Sequence, residues 1–171
     1  VALSIIRELG PIIGSFAVIS LVGSSMSAEI ATMKVTEQVD AIKVLRVDPI
    51  NYLIAPRVLA GFFIMPFVII LANLFGIFGG LLMSKLVAEL NAITYVSSVW
   101  HGLTMKDIYS SIVKAFVFGG IISLSSTSIG YRAEGGAIDV GNATTKAVVW
   151  AFVLVLFANY FISWLFFGNE I

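Results

Sequence analysis

Residues 29–56 read EIATMKVTEQVDAIKVLRVDPINYLIAP, and this stretch decides how the rest of the chain is divided. It is the only long polar interval between two segments that are apolar enough to cross a membrane, and it holds four acidic and three basic residues. Because it joins two such segments, it is expected at one face of the membrane. We therefore interpret it as the surface where a soluble partner would dock.

A short amphipathic helix is predicted within this stretch, over residues 36–46. Thr36 can cap its first turn, and Asp48 followed by Pro49 ends it, since the residue before a proline avoids the helical conformation. Acids in the first turn and bases near the last suit the helix dipole. The apolar stripe is formed by Val39, Ile42 and Leu45. The polar side chains left for a partner are Glu37, Gln38, Asp40, Lys43 and Arg46. The alternative is a solvated loop helix without a partner.

The composition is that of a membrane protein. Of 171 residues, 59% are hydrophobic and 12% are charged, and the mean hydropathy is +1.03. Soluble chains carry about 25% charged residues. The formal net charge is zero and there is no basic run, which argues against nucleic acid as a partner.

The residue inventory excludes several kinds of site. The chain has no cysteine, which rules out disulfides, thiolate metal sites and cysteine nucleophiles. It has one histidine, His101, so a histidine-based metal cluster is also excluded, and we expect this residue at the surface.

Four segments without charge predict four membrane-spanning helices in an all-α integral membrane bundle. They run over 9–28, 58–84, 115–131 and 147–169. Each is near or above the roughly 20 residues that span a bilayer, and the third is expected to recruit residues before Lys114. The alternative, a buried helical core in a soluble protein, lacks the polar sequence to coat it.

Small and charged residues mark particular places on these spans. Gly10 and Gly14 form a GxxxG pattern, with Ser20, Ser24 and Ser27 on one face, which favours close helix packing in lipid. Pro11 is expected near the helix start. Arg7 and Glu8 are either interfacial anchors or part of a polar site facing a cavity. Lys114 either snorkels outward or faces a cavity lined by water or lipid headgroups.

The polar intervals indicate the orientation. Residues 29–57 and 132–146 hold six bases, whereas the opposite side holds three, which places the former in the cytoplasm. On the opposite side, residues 85–107 form a polar interval in which Tyr95 and Trp100 are interfacial aromatics. Residues 130–146 are interpreted as a turn-rich loop that lacks a nucleotide-binding pattern.

Five ordered motifs carry a resemblance to a known family. They are Arg-Glu-Leu-Gly-Pro at 7–11, Ala-Glu-Ile-Ala-Thr-Met-Lys-Val-Thr-Glu-Gln-Val-Asp-Ala at 28–41, Val-Asp-Pro at 47–49, Ala-Pro-Arg at 55–57 and Ala-Thr-Thr-Lys-Ala-Val-Val at 143–149. Together they resemble the MlaE (YrbE) family of ABC-transporter permeases, which belong to phospholipid and Mce-type transport systems. The resemblance extends over essentially the whole chain.

The resemblance implies a single permease domain over residues 1–171 that lacks the family's amino-terminal interfacial helix and the first of its five spanning helices. It implies a homodimer in the bacterial inner membrane that carries phospholipid. An MCE-domain protein would sit on the outer side, and a cytoplasmic ABC ATPase would bind the helix at 36–46, which becomes the coupling helix. A small STAS-domain protein is a further candidate partner. No catalytic residue, cofactor or metal is expected, since the ATPase would bind and hydrolyse ATP.

The resemblance also implies roles for individual residues. Arg7, Glu8 and Lys114 align with polar positions around the family's lipid cavity and are expected to contact headgroups or act in gating. Asn142 stands where family members often carry a basic residue, and Asp139 is also unusual there. The role of this loop is therefore left open.

Two alternatives belong to other functional classes. An intramembrane enzyme would need a nucleophile with a base, or paired acids, inside the spans, and the serines there have no histidine or aspartate at membrane depth. An ion-coupled secondary transporter would carry buried acids in mid-span, and none lies within the four uncharged segments. Dependence of transport on ATP would separate the permease from this transporter.

Overall fold

The structure, a computed structural model, describes residues 2–86 and 92–168, and the regular elements in these ranges are all helices. Four of them are long and apolar enough to cross a membrane, as predicted: α1 (Ala2–Val35), α3 (Ile50–Leu86), α5 (Met105–Tyr131) and α6 (Ala137–Phe167). Two shorter helices, α2 (Gln38–Val44) and α4 (Ala92–Gly102), lie in the connections. The fourth uncharged segment was predicted to reach Asn169, which lies outside the described residues.

The spanning helices extend well beyond the uncharged segments. They contain 34, 37, 27 and 31 residues, whereas a hydrocarbon core about 30 Å thick needs only about 20. The extensions include Arg7 and Glu8 on α1 and Lys114 on α5. These charged residues therefore lie on helices that pack against one another.

Helix α5 lies at the centre of the bundle and packs against α1, α3 and α6. Half of its most apolar stretch is buried, against 11% in α6 and 17% in α3. Burial of apolar side chains between these helices forms one core, whose members are Ile19, Met65, Ile69, Ala115, Phe118, Ile122, Ala151 and Val155. The outward faces of α3 and α6 carry large exposed apolar side chains, as expected for surfaces in contact with lipid.

Small residues allow these helices to approach closely. A Cβ atom on Gly119 of α5 would lie 2.5 Å from the carbonyl oxygen of Gly61 on α3. At the predicted GxxxG pattern, a Cβ atom on Gly10 would clash with Asn73 Oδ1, so this part of α1 lies against α3. In lipid the hydrophobic effect contributes little to helix association, so helices associate through close van der Waals packing. Glycine permits that packing because it has no side chain.

One expectation for the first span is wrong. Of the three serines predicted on one packing face, only Ser27 is buried, whereas Ser20 is exposed and Ser24 is half-buried. Pro11 was expected near a helix start, and it lies in the first turn of the regular α-helical segment Gly10–Val18 within α1. Two π-helical turns, Ile5–Leu9 and Ile19–Gly23, interrupt the regular α-helix and shift the faces that later residues present.

The connections also differ from expectation. Only residues 132–136 separate α5 from α6, so most of the predicted loop at 130–146 is helical. On the other side, helix α4 occupies part of the predicted polar interval. The buried Tyr95 donates a hydrogen bond to the Ile77 carbonyl oxygen at 3.2 Å and ties α4 to α3, while Trp100 is 82% exposed. His101 is exposed, as predicted.

Candidate functional site

A polar cluster lies at the end of the bundle where α1 and α5 begin and α6 ends. Its centre is Lys114, whose side chain is completely buried. The Nζ atom donates to the Arg7 carbonyl oxygen at 2.7 Å and to Glu8 Oε1 at 2.9 Å. The cluster consists of Arg7, Glu8, Asp107, Lys114, Asn159 and Ser163.

The carbonyl of Arg7 is available to Lys114 because of the sequence that follows it. In a regular α-helix this oxygen would accept a hydrogen bond from the N–H of residue 11. Residue 11 is proline, which has no N–H. The Lys114 ammonium group occupies the acceptor and joins α5 to α1.

Glu8 receives hydrogen bonds from two helices. Ser163 Oγ donates to Oε1 at 2.6 Å and Asn159 Nδ2 donates to Oε2 at 2.8 Å. Asn159 and Ser163 are one helical turn apart and so lie on the same face of α6. Together with Lys114, they give the carboxylate three donors, so Glu8 links α1, α5 and α6. Lys114 is completely buried and the Glu8 side chain is 35% exposed, so these additional hydrogen bonds help to offset the hydration that the pair loses.

The Arg7 side chain faces Asp107 and not the partners of the adjacent Glu8. Its Nε atom lies 3.5 Å from Asp107 Oδ1, and its guanidinium carbon lies 3.1 Å from the centroid of the Phe167 ring. Asp107 also caps α5, since its Oδ2 accepts from the backbone N–H and the hydroxyl of Thr104 at 2.9 and 2.7 Å. The capping box therefore holds the Asp107 carboxylate that faces Arg7.

Two cavities open beside the polar cluster. One, of about 360 Å³, is here called the polar cavity because three charged residues stand beside the apolar surface of its wall; it is lined by Leu3, Arg7, Gly102, Thr104, Met105, Lys106 and Asp107. The other, of about 420 Å³, is apolar and is lined by Met105, Lys106, Ile108, Tyr109, Ile112 and Phe166. Because both cavities are lined by Met105 and Lys106, a cavity with charged residues in its wall adjoins one that is almost wholly apolar. Arg7 lines the polar cavity, whereas Lys114 is buried behind it.

The structure thus brings together the three residues singled out at this end, Arg7, Glu8 and Lys114. Sequence reasoning missed the other members of the cluster. Asn159 and Ser163 stand one turn apart in an otherwise apolar segment, and that spacing was a usable signal. Asp107 was recognisable as an acid three residues after Thr104 at a helix start.

At the opposite end of the bundle, α2 connects α1 to α3. Thr36 does not cap it: the Thr36 hydroxyl donates back to the Thr32 carbonyl oxygen at 2.8 Å and belongs to the end of α1. The chain turns instead at Glu37, which has a left-handed backbone with φ 62°. Asp48 accepts the backbone N–H of Ile50 at 3.1 Å, so it caps the start of α3.

The faces of α2 differ from the predicted stripe. Val39 is fully buried and Ile42 is half-buried, but Leu45 is 75% exposed. The reason is that α2 ends at Val44, before the helical spacing reaches Leu45. The exposed Val44 and Leu45 therefore lie among the charged side chains and face outward with them.

The predicted polar face of α2 is exposed. Glu37, Gln38, Asp40, Lys43 and Arg46 are all exposed. Lys43 Nζ donates to Asp40 Oδ1 at 2.9 Å, and Lys34 Nζ lies 3.7 Å from the same oxygen. The hydrogen bond from Lys43, followed by the charge of Lys34, lowers the pKa of Asp40. This surface therefore presents charged groups to solvent at neutral pH.

The chain is similar to known proteins over nearly its whole length. The family model described as Permease MlaE matches residues 1–165. A probable ABC transporter permease protein of Rickettsia felis is 47% identical over 98% of this chain and 64% of its own length. A probable ABC transporter permease protein of Synechocystis is 40% identical over 97% of the chain and 63% of its own length. The chloroplastic protein TRIGALACTOSYLDIACYLGLYCEROL 1 of Arabidopsis thaliana is 40% identical over 97% of the chain and 47% of its own length.

The matches extend over nearly all of this chain but less than two thirds of each of these relatives. They agree with the four helices that are able to cross a membrane. They also confirm the resemblance carried by the motifs at 7–11, 28–41 and 143–149. The chain is a multi-pass membrane protein and belongs to the MlaE permease family.

Proposed function

We propose that this chain is the permease part of an ABC-type transporter that carries phospholipid, and that it works as a homodimer in the bacterial inner membrane. One observation carries the proposal: a polar cavity and an apolar cavity adjoin at one end of the bundle, beside buried charges, in a member of the MlaE family. The names of its relatives support the proposal. Two of them are named probable ABC transporter permease proteins, and the name of the Arabidopsis protein includes that of a galactolipid.

The paired cavities suit an amphiphile. Arg7 and Lys106 line the polar cavity and can contact a lipid phosphate, and guanidinium and ammonium groups make charge-assisted hydrogen bonds to such groups. Tyr109, Ile112 and Phe166 line the apolar cavity and can contact an acyl chain. A single lipid would thus place its headgroup and its tail in adjoining compartments.

Glu8 and Lys114 act in gating under this proposal. The Lys114 ammonium group holds α1 and α5 together, and the Glu8 carboxylate adds α6. Closing or opening the cavities requires these helices to move relative to one another, which breaks or reforms the pair. Because the pair between Lys114 and Glu8 is either formed or broken, the helices have two distinct arrangements, as a gate requires.

Coupling to ATP is assigned to α2. The exposed side chains of α2 and of the turns on either side of it form the contact with a cytoplasmic ABC ATPase; they are Glu37, Gln38, Asp40, Lys43 and Arg46. Because α2 connects α1 directly to α3, displacement of α2 moves two spanning helices at once. ATP is bound by that partner, and this chain supplies no catalytic group.

The remaining partners are proposed from membership of the MlaE family. An MCE-domain protein is proposed on the outer side, over α4 and the polar cluster, and a small STAS-domain protein is proposed on the cytoplasmic side. The homodimer is proposed to form through the apolar faces of the spanning helices. Exposed phenylalanines on α3, among them Phe63, Phe67 and Phe75, are available for that contact or for lipid.

The test is transport of fluorescent phospholipid between vesicles by the full-length protein reconstituted with its copurifying ATPase. We expect transfer that requires ATP hydrolysis and is lost in Lys114→Met but kept in Lys85→Met, whose lysine is exposed near the end of α3. Transfer that proceeds equally without ATP would refute the proposal.

A second candidate, an ion-coupled secondary transporter, is favoured by one observation. The acids Glu8 and Asp107 lie on spanning helices, and Asp107 is buried. The same vesicles decide between the two, since transfer driven by an imposed proton or sodium gradient without ATP would identify the secondary transporter.

A further inference from the structure

A third cavity, here called the inner cavity, lies at the end of the bundle that carries α2. It has a volume of about 400 Å³ and opens where α5 ends and α6 begins. The residues that line it are Ile129, Arg132, Ala133, Glu134, Asp139, Asn142, Ala143, Lys146 and Trp150. It is separate from the polar cluster, which lies at the opposite ends of the same helices.

The inner cavity carries two charges of each sign. Arg132 and Lys146 are exposed bases, and the ion pairs found within residues 2–86 and 92–168 are made by other basic residues. Glu134 and Asp139 are the acids. The Asp139 carboxylate lies next to Gly135, where a Cβ atom would clash with Asp139 Oδ2. The four side chains sum to zero formal charge, so the cavity has no net attraction for a free anion.

The sequence places the inner cavity at the depth of lipid headgroups. The uncharged stretch of α5 ends at Tyr131, directly before Arg132, and that of α6 begins directly after Lys146. A stretch of this kind fills the hydrocarbon core, so both bases lie at its boundary. Trp150, one turn further along α6, is 56% exposed, and tryptophan is enriched at that boundary.

The charges are also ordered along the membrane normal. Asp139, Asn142, Lys146 and Trp150 recur at intervals of three or four residues and share one face of α6. Lys146 is two turns closer to the hydrocarbon than Asp139, a rise of about 10 Å. Glu134 and Arg132 lie in the connection that covers the end of α5. The deeper part of the cavity is therefore basic and the part nearer the solvent contains acid.

We propose that the inner cavity binds the headgroup of a zwitterionic aminophospholipid from the leaflet on the α2 side of the membrane. The phosphate contacts Arg132 and Lys146, and the ammonium group contacts Glu134 and Asp139. In such a lipid the phosphate is attached to the glycerol and the amine lies at the free end, which matches the order of charges. This inference rests on the proposed function in that it assigns a lipid class and a second lipid position to the same transporter.

The experiment is native mass spectrometry of the purified full-length protein in detergent, with phosphatidylethanolamine and phosphatidylglycerol of matched chains as probes. We expect wild type to retain phosphatidylethanolamine preferentially. Arg132→Gln with Lys146→Gln removes both phosphate contacts and should lower the occupancy of one of the two bound lipids about tenfold or more, while the lipid at the polar cluster is retained. Glu134→Gln with Asp139→Asn should shift the preference toward phosphatidylglycerol. Lys85→Gln, at the opposite end of the bundle, should behave as wild type.

The double variant Glu134→Gln with Asp139→Asn is the control for misfolding, since a misfolded protein would not gain affinity for phosphatidylglycerol. Unchanged lipid retention in both double variants would overturn the inference. So would displacement of the lipid by inorganic phosphate, which would indicate a free-anion site. Loss of the copurifying ATPase with lipid retention unchanged would identify a protein-docking surface instead. Because binding is measured without ATP, its result is independent of the transport assay.

Discussion

Replacing Lys114 by methionine tests whether the polar cluster is held by a buried charge pair. Methionine keeps most of the apolar stem and removes the ammonium group that contacts Glu8 and the Arg7 carbonyl. Removing the ammonium group leaves the Glu8 carboxylate without its counter-ion, but the Glu8 side chain is 35% exposed and water screens part of its charge. The free energy of unfolding should therefore fall by about 1–3 kcal/mol, less than for a fully buried pair. At about 2–4 °C per kcal/mol for a chain of this size, Tm should fall by about 2–12 °C.

The assay is thermal denaturation of the full-length protein in mild detergent, followed by size-exclusion chromatography. The double variant Glu8→Gln with Lys114→Met has no buried charge at this position, and the amide can still bond to Asn159 and Ser163. Its Tm should therefore lie closer to wild type than that of Lys114→Met alone. An equal loss in the single and double variants would show that the unpaired charge is not the cause, and an unchanged Tm in Lys114→Met would refute the reasoning altogether.

Two further predictions concern the coupling surface and the helix packing. Glu37→Lys and Asp40→Lys reverse exposed charges on α2 and should each reduce copurification of the ATPase without affecting membrane insertion; intact copurification in both would remove α2 from the coupling role. Gly119→Ala places a Cβ 2.5 Å from a backbone carbonyl of α3 and should lower Tm and the yield of folded protein, whereas Gly79→Ala, with nothing within 4 Å, should leave both unchanged. Equal behaviour of the two alanine variants would contradict the packing between α3 and α5.

The spanning helices were predictable because hydrophobicity acts locally. Each uncharged segment is long enough to span the membrane whatever its neighbours are. The ends were less predictable, since Arg7 and Lys114 continue the helices beyond the uncharged stretches. From the sequence alone, charged residues at these positions are expected in loops. They lie on helices because packing of the helices against one another provides partners for their charges.

The candidate site was predicted in part. Motif resemblance singled out Arg7, Glu8 and Lys114, which the structure brings together. Their partners Asn159 and Ser163 were missed because a hydrogen bond between α1 and α6 joins residues that are 151 and 155 positions apart. No local pattern reports the rotation of one helix against another, and the π-helical turn at Ile5–Leu9 alters that rotation further.

By itself, the sequence determined that this protein is an all-helical membrane bundle with an exposed, charged connection between its first two spans. These properties depend on the hydropathy and charge of neighbouring residues. The tertiary structure alone decided that Thr36 ends α1, that α6 begins at Ala137, and that Lys114 is buried against Glu8. Those outcomes depend on which helix faces meet, because a buried polar group must take its hydrogen-bond partner from whatever helix packs against it.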